Sequence, residues 1–289
     1  MSRPQVVLGP RPTGRRARKA SALLALAGAA IVLVPLMWML STSFKAESDV
    51  FRTPIEWIPS EPRPENYAEA TQLIPFWRYF LNSLIVVVPV TIGAVVSTTA
   101  AAYAFARLRA PGLKWLFVVV LATIMLPGEI TLVPSFLLFN QLGWIGTYFP
   151  LIVPAQLAAG GFDAAVSIFL LRQFFLTIPR EHDDAARVDG HGFLSILVHV
   201  VIPQSWPAVG LVAAFAFVHS WNDFLQPLLY LTDQSRYTLP LGLNFFKDIY
   251  NTQWAHLMAA SVLALIPPVL VFFFAQRAFS RGVVFTGRR

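Results

Sequence analysis

Five residues with polar side-chain groups lie inside or beside long apolar stretches of the sequence. They are Glu129, Asp163, Trp221, Asn222 and Asp223. A charge at the centre of a bilayer costs about 2.5–3.5 kcal/mol on insertion scales, so such groups usually face a cavity or a partner. The amide and carboxylate groups offer hydrogen bonds and the indole a flat apolar face, a combination that suits a hydroxyl-rich, uncharged ligand. We therefore expect the five residues to line a polar pathway.

The same residues also have structural alternatives. Asn222 and Asp223 can hydrogen-bond between helices and fix a helix bundle. Glu129 lies between two prolines, where a broken helix would solvate its carboxylate near an interface. Asp163 follows two glycines, a flexible point that is compatible with a helix break beside the pathway. In the pathway role and in the structural roles alike, the polar groups lie at membrane depth. The roles differ in whether these groups contact a transported molecule or other parts of the protein.

The sequence contains no motif typical of an enzyme active site. It has no Gly-x-x-x-x-Gly-Lys-[Ser/Thr] phosphate loop, no Gly-x-Ser-x-Gly elbow and no His-Glu-x-x-His zinc motif. It has 0 cysteines, so a thiolate metal site is excluded. The His182-Asp183-Asp184 cluster is more typical of a solvated helix start than of a metal site. We therefore expect no catalytic residue, no bound cofactor or metal, and no ATP binding by this chain.

The composition predicts a membrane protein that is entirely α-helical. Hydrophobic residues make up 56% of the chain and charged residues only 13%, against an apolar content of roughly 45–50% in ordinary soluble domains. Each unpaired backbone group in hydrocarbon costs several kcal/mol, so the apolar runs are expected to be helices.

Six runs reach the length of about 20 residues that a spanning helix needs. The first continues through Trp38, which is too long for the core of a cleaved signal peptide. These runs predict one transmembrane domain, 20–279, between basic tails at 1–19 and 280–289. The predicted spans are about 20–42, 79–106, 115–139, 148–171, 205–230 and 253–276.

The distribution of basic residues predicts the orientation of these spans. Sixteen of the 22 lysines and arginines fall in the first tail, in the loops 107–114 and 172–187 and in the C-terminal segment 277–289. Cytoplasmic segments are enriched in these residues, so both termini are expected in the cytoplasm. The net charge of +7 is explained by these flanking clusters, and nucleic acid is not an expected partner.

The cytoplasmic loop 178–203 carries the clearest local pattern. Pro179 and a run of acidic residues open a short helix, and Gly190 closes it. Within it, Ala185-Ala186 forms a low-profile patch that another protein can approach closely. A short helix between two spans cannot bury itself alone, so it is expected either to dock onto a cytoplasmic partner or to lie along the membrane.

Two motifs resemble a known family. Asp184-Ala185-Ala186-Arg187-Val188-Asp189-Gly190, followed by Ile202-Pro203, resembles the loop of ABC importer permeases with the pattern Glu-Ala-Ala-x-x-x-Gly and then Ile-x-Leu-Pro. The stretch 217–225, FVHSWNDFL, is similar to the fifth-helix signature of carbohydrate-uptake, maltose-permease-like subunits. Weaker matches extend the resemblance over most of the chain. The sequence departs from the family at Asp184, where Glu is usual, at His191, where Ala is usual, and in the tail.

The resemblance implies a permease subunit of an ATP-driven, binding-protein-dependent sugar importer in the cell membrane. The implied partners are a second permease, two cytoplasmic ATPases that bind ATP and Mg²⁺, an extracellular or periplasmic sugar-binding protein, the sugar and the lipid bilayer. It also implies a set of ATPase-coupling residues, namely Asp184, Ala185, Ala186, Asp189, Gly190 and Pro203.

Two other classes of protein are compatible with parts of the sequence. An ion-coupled secondary transporter could use Glu129, Asp163, His219 and Asp223 as a relay or as ion ligands. A membrane scaffold with no transport role would leave the Trp221-Asn222-Asp223 cluster without a purpose. The capped loop helix favours the ATP-driven class, because a secondary carrier has no evident use for an ATPase docking element.

Overall fold

The structure, a computed structural model, describes residues 15–158, 162–247 and 252–282, and it is helical throughout. No strand occurs in these ranges. Most of the first predicted tail and of the last lies outside them. The α-helices are α1 (Arg15–Thr42), α2 (Glu65–Leu73), α3 (Phe76–Arg107), α4 (Leu113–Ala122), α5 (Leu132–Gln141), α6 (Phe149–Gln156), α7 (Phe162–Thr177), α8 (Arg180–Val188), α9 (Phe193–Ile196), α10 (Ile202–Gln204), α11 (Trp206–Asn222), α12 (Leu225–Tyr230), α13 (Leu239–Leu243) and α14 (Trp254–Gly282).

Three of these helices contain a continuous segment that is long and apolar enough to cross a membrane. The segments are Ser21–Thr42, Phe76–Arg107 and Trp254–Gln276. Two further pairs pass the same test only when joined across a sharp bend, of 99° between Leu113–Met125 and Gly128–Gln141 and of 88° between Phe193–Gln204 and Trp206–Asn222. Within the described residues the chain therefore has three to five candidate spans, and the predicted count of six stays a prediction.

The other three predicted spans are not continuous helices. In 115–139 the helix stops before Pro127 and resumes at Leu132, because a proline cannot donate the backbone hydrogen bond that continues a helix. In 148–171, α6 ends at Gln156 and α7 starts at Phe162. In 205–230, α11 ends at Asn222, and Asp223 takes an extended conformation before α12. Each interruption lies beside one of the carboxylates predicted to matter, Glu129, Asp163 or Asp223.

Helix α3 is the centre of the bundle, and α6, α7 and α11 all pack against it. Gly93 allows one of these contacts, since a Cβ there would overlap the Gln156 carboxamide. That carboxamide donates to the carbonyl of Pro89 at 2.8 Å, so α3 and α6 are joined at the point of closest approach. The last helix, α14, packs against α1, α2 and α11 on the other side of the bundle.

The molecule has two distinct ends. At one end, called here the loop end, α8 packs beside the last residue of α3. At the opposite end, called the far end, the Glu47 carboxylate accepts hydrogen bonds from the backbone of Trp254 and Ala255 and so caps α14. Lys45 is buried there with its ammonium over the Trp38 ring, 4.0 Å from the ring centroid. Burial lowers the pKa of Lys45.

Candidate functional site

The predicted loop helix is present as α8. Its N-terminus follows Pro179, and its first turn contains Glu181 and Asp183, which the helix dipole stabilises by roughly 0.3–1 kcal/mol each. The helix ends at Val188, and Gly190 has a φ of +85°. Glycine adopts this left-handed conformation without the steric penalty that other residues meet, which explains its position after the helix.

A buried ion pair attaches α8 to the bundle. The Arg107 guanidinium, at the end of α3, lies 3.0 Å from the Asp183 carboxylate, and the two side chains are 3% and 4% exposed. Arg107 also donates to the carbonyl of Ile178 at 3.0 Å. Ala186 is buried one turn further on. The inner face of α8 is thus attached to the end of α3.

The outer face of α8 is not covered by any of the residues that the structure describes. Asp184, Ala185, Asp189 and Gly190 are exposed, and so is Pro203 in α10. Among the large apolar side chains that the structure describes, Val188 is the most exposed, at 88%. A single exposed apolar side chain is ordinary on a protein surface, so what distinguishes this face is the attached helix that presents it.

The rest of the loop folds back under α8. The His191 backbone donates to the carbonyl of Ala186 at 2.9 Å, and the His191 ring lies 2.7 Å from the Ser195 hydroxyl. His182 lies 3.0 Å from the Gln204 carboxamide. His182, Asp183 and Asp184 therefore have three different partners, Gln204, Arg107 and Arg187.

A second set of polar residues lies at the helix breaks. Asp163, in the first turn of α7, lies 3.0 Å from the Nε2 atom of His219 in α11, and the side chains are 42% and 61% exposed. Asn222 follows on the same face of α11 and donates to the carbonyl of Val218 in its own helix. The Asp223 carboxylate accepts from the backbone of Gln226 at 3.2 Å, at the start of α12. The structural alternative was that Asn222 and Asp223 hydrogen-bond between helices of the bundle. In these two bonds neither residue links two long helices.

Trp221 differs from its neighbours because it points into the bundle. It is 2% exposed, stacks on Phe217 and meets Phe80 edge to face. Its indole N–H donates to the carbonyl of Ala264 in α14 at 3.0 Å. Four residues after that carbonyl stands Pro268, which has no N–H to offer. The indole therefore satisfies a backbone acceptor that the proline leaves free.

Glu129 lies in the bend between α4 and α5, in a 3₁₀ turn at Gly128–Thr131, and it is exposed. The helix before it ends in a second 3₁₀ turn, Thr123–Met125, which packs against α7. The three carboxylates Glu129, Asp163 and Asp223 therefore each lie in or beside a helix break, and all three breaks adjoin α7 or α11.

Known proteins similar to this chain identify its family. Residues 93–285 match the family model described as the binding-protein-dependent transport system inner membrane component. The chain belongs to this family. It is a permease located in the inner membrane.

Two relatives illustrate the range of similar permeases. The sn-glycerol-3-phosphate transport system permease UgpE of Agrobacterium fabrum is 31% identical over 279 residues, which cover 93% of this chain and 97% of the relative. The diacetylchitobiose uptake system permease NgcG of Streptomyces coelicolor is 32% identical over 271 residues, with coverages of 93% and 88%. The fold matches a chain of a bacterial alginate ABC importer with a TM-score of 0.77, at 20% identity, over 93% of this permease and 99% of that chain.

Two contacts in the permease were not predicted from its sequence. Arg107 enters the prediction only as a loop cation, and Asp183 only as an acid that opens α8. Their pairing joins residues 76 positions apart. The only signal for it in the sequence is that Arg107 directly follows the apolar run 79–106. His219 was grouped with Asp163 as an ionisable residue of a span, yet their direct pairing depends on two helices that the sequence does not place side by side.

Proposed function

We propose that this permease forms half of the translocation pathway of an importer for sugars or oligosaccharides, and that it is driven through α8. The observation that carries the proposal is the two-sided construction of this helix. Its inner face is held by the buried Arg107–Asp183 pair, while its outer face presents Ala185 and Val188 uncovered. A helix that is fixed to the bundle and open to a partner is suited to transmit force.

The proposed topology has six spans and two cytoplasmic termini. Support comes from the location of the basic residues, because Arg107, Arg109, Lys114, Arg180 and Arg187 belong to the loop end, and that end is cytoplasmic by the positive-inside rule. The bent pair α4 and α5 counts as one span, as do α6 with α7 and α11 with α12. The domain limits remain 20–279, with the coupling loop at 178–203.

The proposed partners follow from the family. A second permease completes the pathway, and two cytoplasmic ATPases bind ATP and Mg²⁺ and dock on Asp184, Ala185, Ala186, Asp189, Gly190 and Pro203. Ala186 is the exception in this set because it is buried, so its contribution is the small volume that lets α8 lie close to the bundle. A sugar-binding protein would deliver the substrate to the far end.

The substrate class rests on the relatives and on the polar groups of the helix breaks. A relative of similar identity takes up diacetylchitobiose, by its name. Asp163, Asn222 and Asp223 provide acceptors and donors for hydroxyl groups near the pathway, with Glu129 in the neighbouring bend. Trp221 contributes by fixing α11 to α14, which orients the adjacent Asn222 and Asp223.

The proposed mechanism is a rigid-body transmission. ATP-driven closure of the two ATPases would move α8, and the Arg107 guanidinium, bonded to both Asp183 and the Ile178 carbonyl, would pass this movement to the central helix α3. Because α7 and α11 both pack on α3, their breaks would change position together. The pathway would thus open alternately toward each side.

Replacing Val188 with Ser tests the docking surface. We expect the variant to fold normally, because Val188 contacts little of this chain, and to lose most of its co-purifying ATPase and its ATP-dependent uptake. Ile58→Ser is the matched control, since Ile58 is 83% exposed but lies in the far-end segment before α2. Equal ATPase recovery from the two variants would contradict docking through α8.

The ion-coupled secondary transporter remains the second candidate, favoured by one observation, the Asp163–His219 pair at membrane depth. It predicts uptake by this chain in vesicles that contain an ion gradient but no ATPase. The importer proposal predicts no uptake under that condition and full uptake when ATP and both ATPases are supplied.

A further inference from the structure

One exposed stripe of α11, together with the start of α7, carries ionisable and polar side chains. Along α11 the exposed residues Phe215, Val218, His219 and Asn222 follow one another at helical spacing. Phe215 and Val218, nearer the start of α11, are apolar, whereas His219 and Asn222, nearer its end, are polar. Asp163 extends the polar part onto α7 through its 3.0 Å contact with His219.

The depth of this pair follows from helix geometry. His219 lies 13 residues after the start of α11 and Asp163 lies 14 residues before the end of α7. At 1.5 Å per residue both positions are about 20 Å from the loop end, within a hydrocarbon layer of about 30 Å. Half-exposed ionisable groups at that depth are too costly to face lipid, so the stripe faces water or polar groups.

Central helix α3 provides the contrast at the same depth. Its exposed stripe consists of Ile85, Val88, Ile92 and Val96, all of them apolar. Ile92 lies 15 residues before the end of α3, or about 22 Å from the loop end by the same geometry. The two stripes are therefore at equal depth but of opposite polarity, as expected if one meets lipid or an apolar partner and the other a wet pathway.

We propose that Asp163, by holding His219, builds a water-exposed wall of the pathway that accepts uncharged, hydroxyl-rich substrates and disfavours anionic ones. The inference rests on the proposed importer function and names its substrate class more narrowly. Asp163 is a positioning residue, which fixes the ring through Nε2 and leaves the Nδ1 atom for a hydroxyl group. Asn222 adds an amide on the next turn, and Asp223 follows it at the end of the helix.

The charge of this wall decides which ligands it suits. The six predicted spans contain no lysine or arginine, so this chain supplies no permanent cation to pair with a phosphate or a carboxylate at that depth. Asp163 and Asp223 instead place carboxylates there. Two carboxylates in a cleft with low-dielectric walls create a negative potential, which attracts cations and repels anions.

Thiol labelling tests the proposal without knowledge of the substrate. Because the chain has 0 cysteines, Asn222→Cys introduces its only thiol, one turn from the intact Asp163–His219 pair. Membrane vesicles with the whole transporter would be treated with a methanethiosulfonate that carries a trimethylammonium group, and separately with its sulfonate counterpart. Labelling of this chain alone is then followed by mass, with Ile92→Cys as the control at equal depth.

We expect Asn222→Cys to react with the cationic reagent about tenfold faster than with the anionic one. Adding Asp163→Asn should reduce this ratio several-fold, while Ile92→Cys should react with neither reagent. Absence of labelling at Asn222→Cys would overturn the proposal, because the stripe would then be covered by lipid or by a partner. Equal rates with the two reagents would overturn it as well, because a wet wall without a negative potential cannot exclude anions. Either failure leaves the importer proposal standing if the same vesicles retain their ATPases and ATP-dependent uptake.

Discussion

Two acid–base pairs in this permease have the same distance and opposite surroundings. Arg107 and Asp183 lie 3.0 Å apart at the loop end with 3% and 4% of their side chains exposed. His219 and Asp163 also lie 3.0 Å apart, in the helix breaks, but with 61% and 42% exposed. The first pair is almost completely withdrawn from solvent, whereas the second can exchange its contacts with a ligand or with water.

The difference teaches how one chain can combine a fixed and an adaptable region. A buried pair resists separation because each partner would be left as an uncompensated charge. An exposed pair loses little when separated, since water replaces the lost contact. Force transmission requires the first property and substrate passage the second. The predictions below test whether the two regions differ as this comparison requires.

The largest effect is expected when Asp183 is replaced by Asn. The change keeps the side-chain volume but leaves the buried Arg107 without its counter-charge, which typically costs about 3–5 kcal/mol. Thermal unfolding of the purified transporter should show a large loss of stability in this subunit. ATPase co-purification should fall with it, because α8 would no longer be held against α3.

Two matched variants make this result specific. Asp184→Asn removes the exposed contact with Arg187, and it should change stability by less than about 1 kcal/mol. Arg107→Met combined with Asp183→Leu removes both buried charges together and should recover most of the stability. If Asp183→Asn and Asp184→Asn had equal effects, the buried pair would not be the attachment of α8.

An intermediate effect is expected at the end of α8, when Gly190 is replaced by Ala. A Cβ there meets no atom within 4 Å, so only the backbone conformation at φ +85° opposes the change, at about 1–2 kcal/mol. Gly192→Ala is the control, because Gly192 has a φ of −76° and open space around it. Gly190→Val should in addition uncouple ATP hydrolysis from uptake. Equal stability of the two alanine variants, measured by thermal unfolding, would contradict a conformational role for Gly190.

A smaller effect is expected beside the helix break, when Trp221 is replaced by Phe. The ring packing is largely kept, but the carbonyl of Ala264 loses the indole donor, which in a membrane helix costs about 1 kcal/mol. Pro268→Ala restores a backbone N–H four residues after Ala264. In that background Trp221→Phe should cost almost nothing, and a double-mutant cycle of unfolding temperatures measures the difference. An unchanged cost would mean that Trp221 acts by another contact.

Much of the loop 178–203 was predictable from the sequence. Proline, acidic residues and glycine at fixed positions indicate where α8 starts and ends, because each of these residues acts through local backbone physics. The helix appears as α8 from Arg180 to Val188, with a left-handed Gly190 after it. The assignment of the family, made from two motifs, is confirmed by the match of residues 93–285.

The helix breaks were less predictable, because the hydropathy of a run does not show where its helix stops or bends. The run 148–171 is mostly apolar despite Asp163, yet its helix is interrupted after Gln156, and an apolar count cannot distinguish a straight span from a broken one. The partners of Asp163 and Asp183 also could not be read from the sequence. Both bonds cross between elements that are separated along the chain, and their formation depends on packing around α3.

The smallest change in stability is expected for His219→Gln, and this variant tests the comparison most directly. Glutamine retains a donor and an acceptor but cannot take a positive charge, so any gain from an ion pair is lost. For a half-exposed pair that gain is about 0–1 kcal/mol, and the unfolding temperature should hardly change. Asp163→Asn should have a similarly small effect, and the double variant should show little further loss. A drop in unfolding temperature as large as that of Asp183→Asn would mean that the two pairs stabilise the protein equally. Normal stability with a changed apparent affinity in ATP-driven uptake would place His219 in contact with the transported molecule.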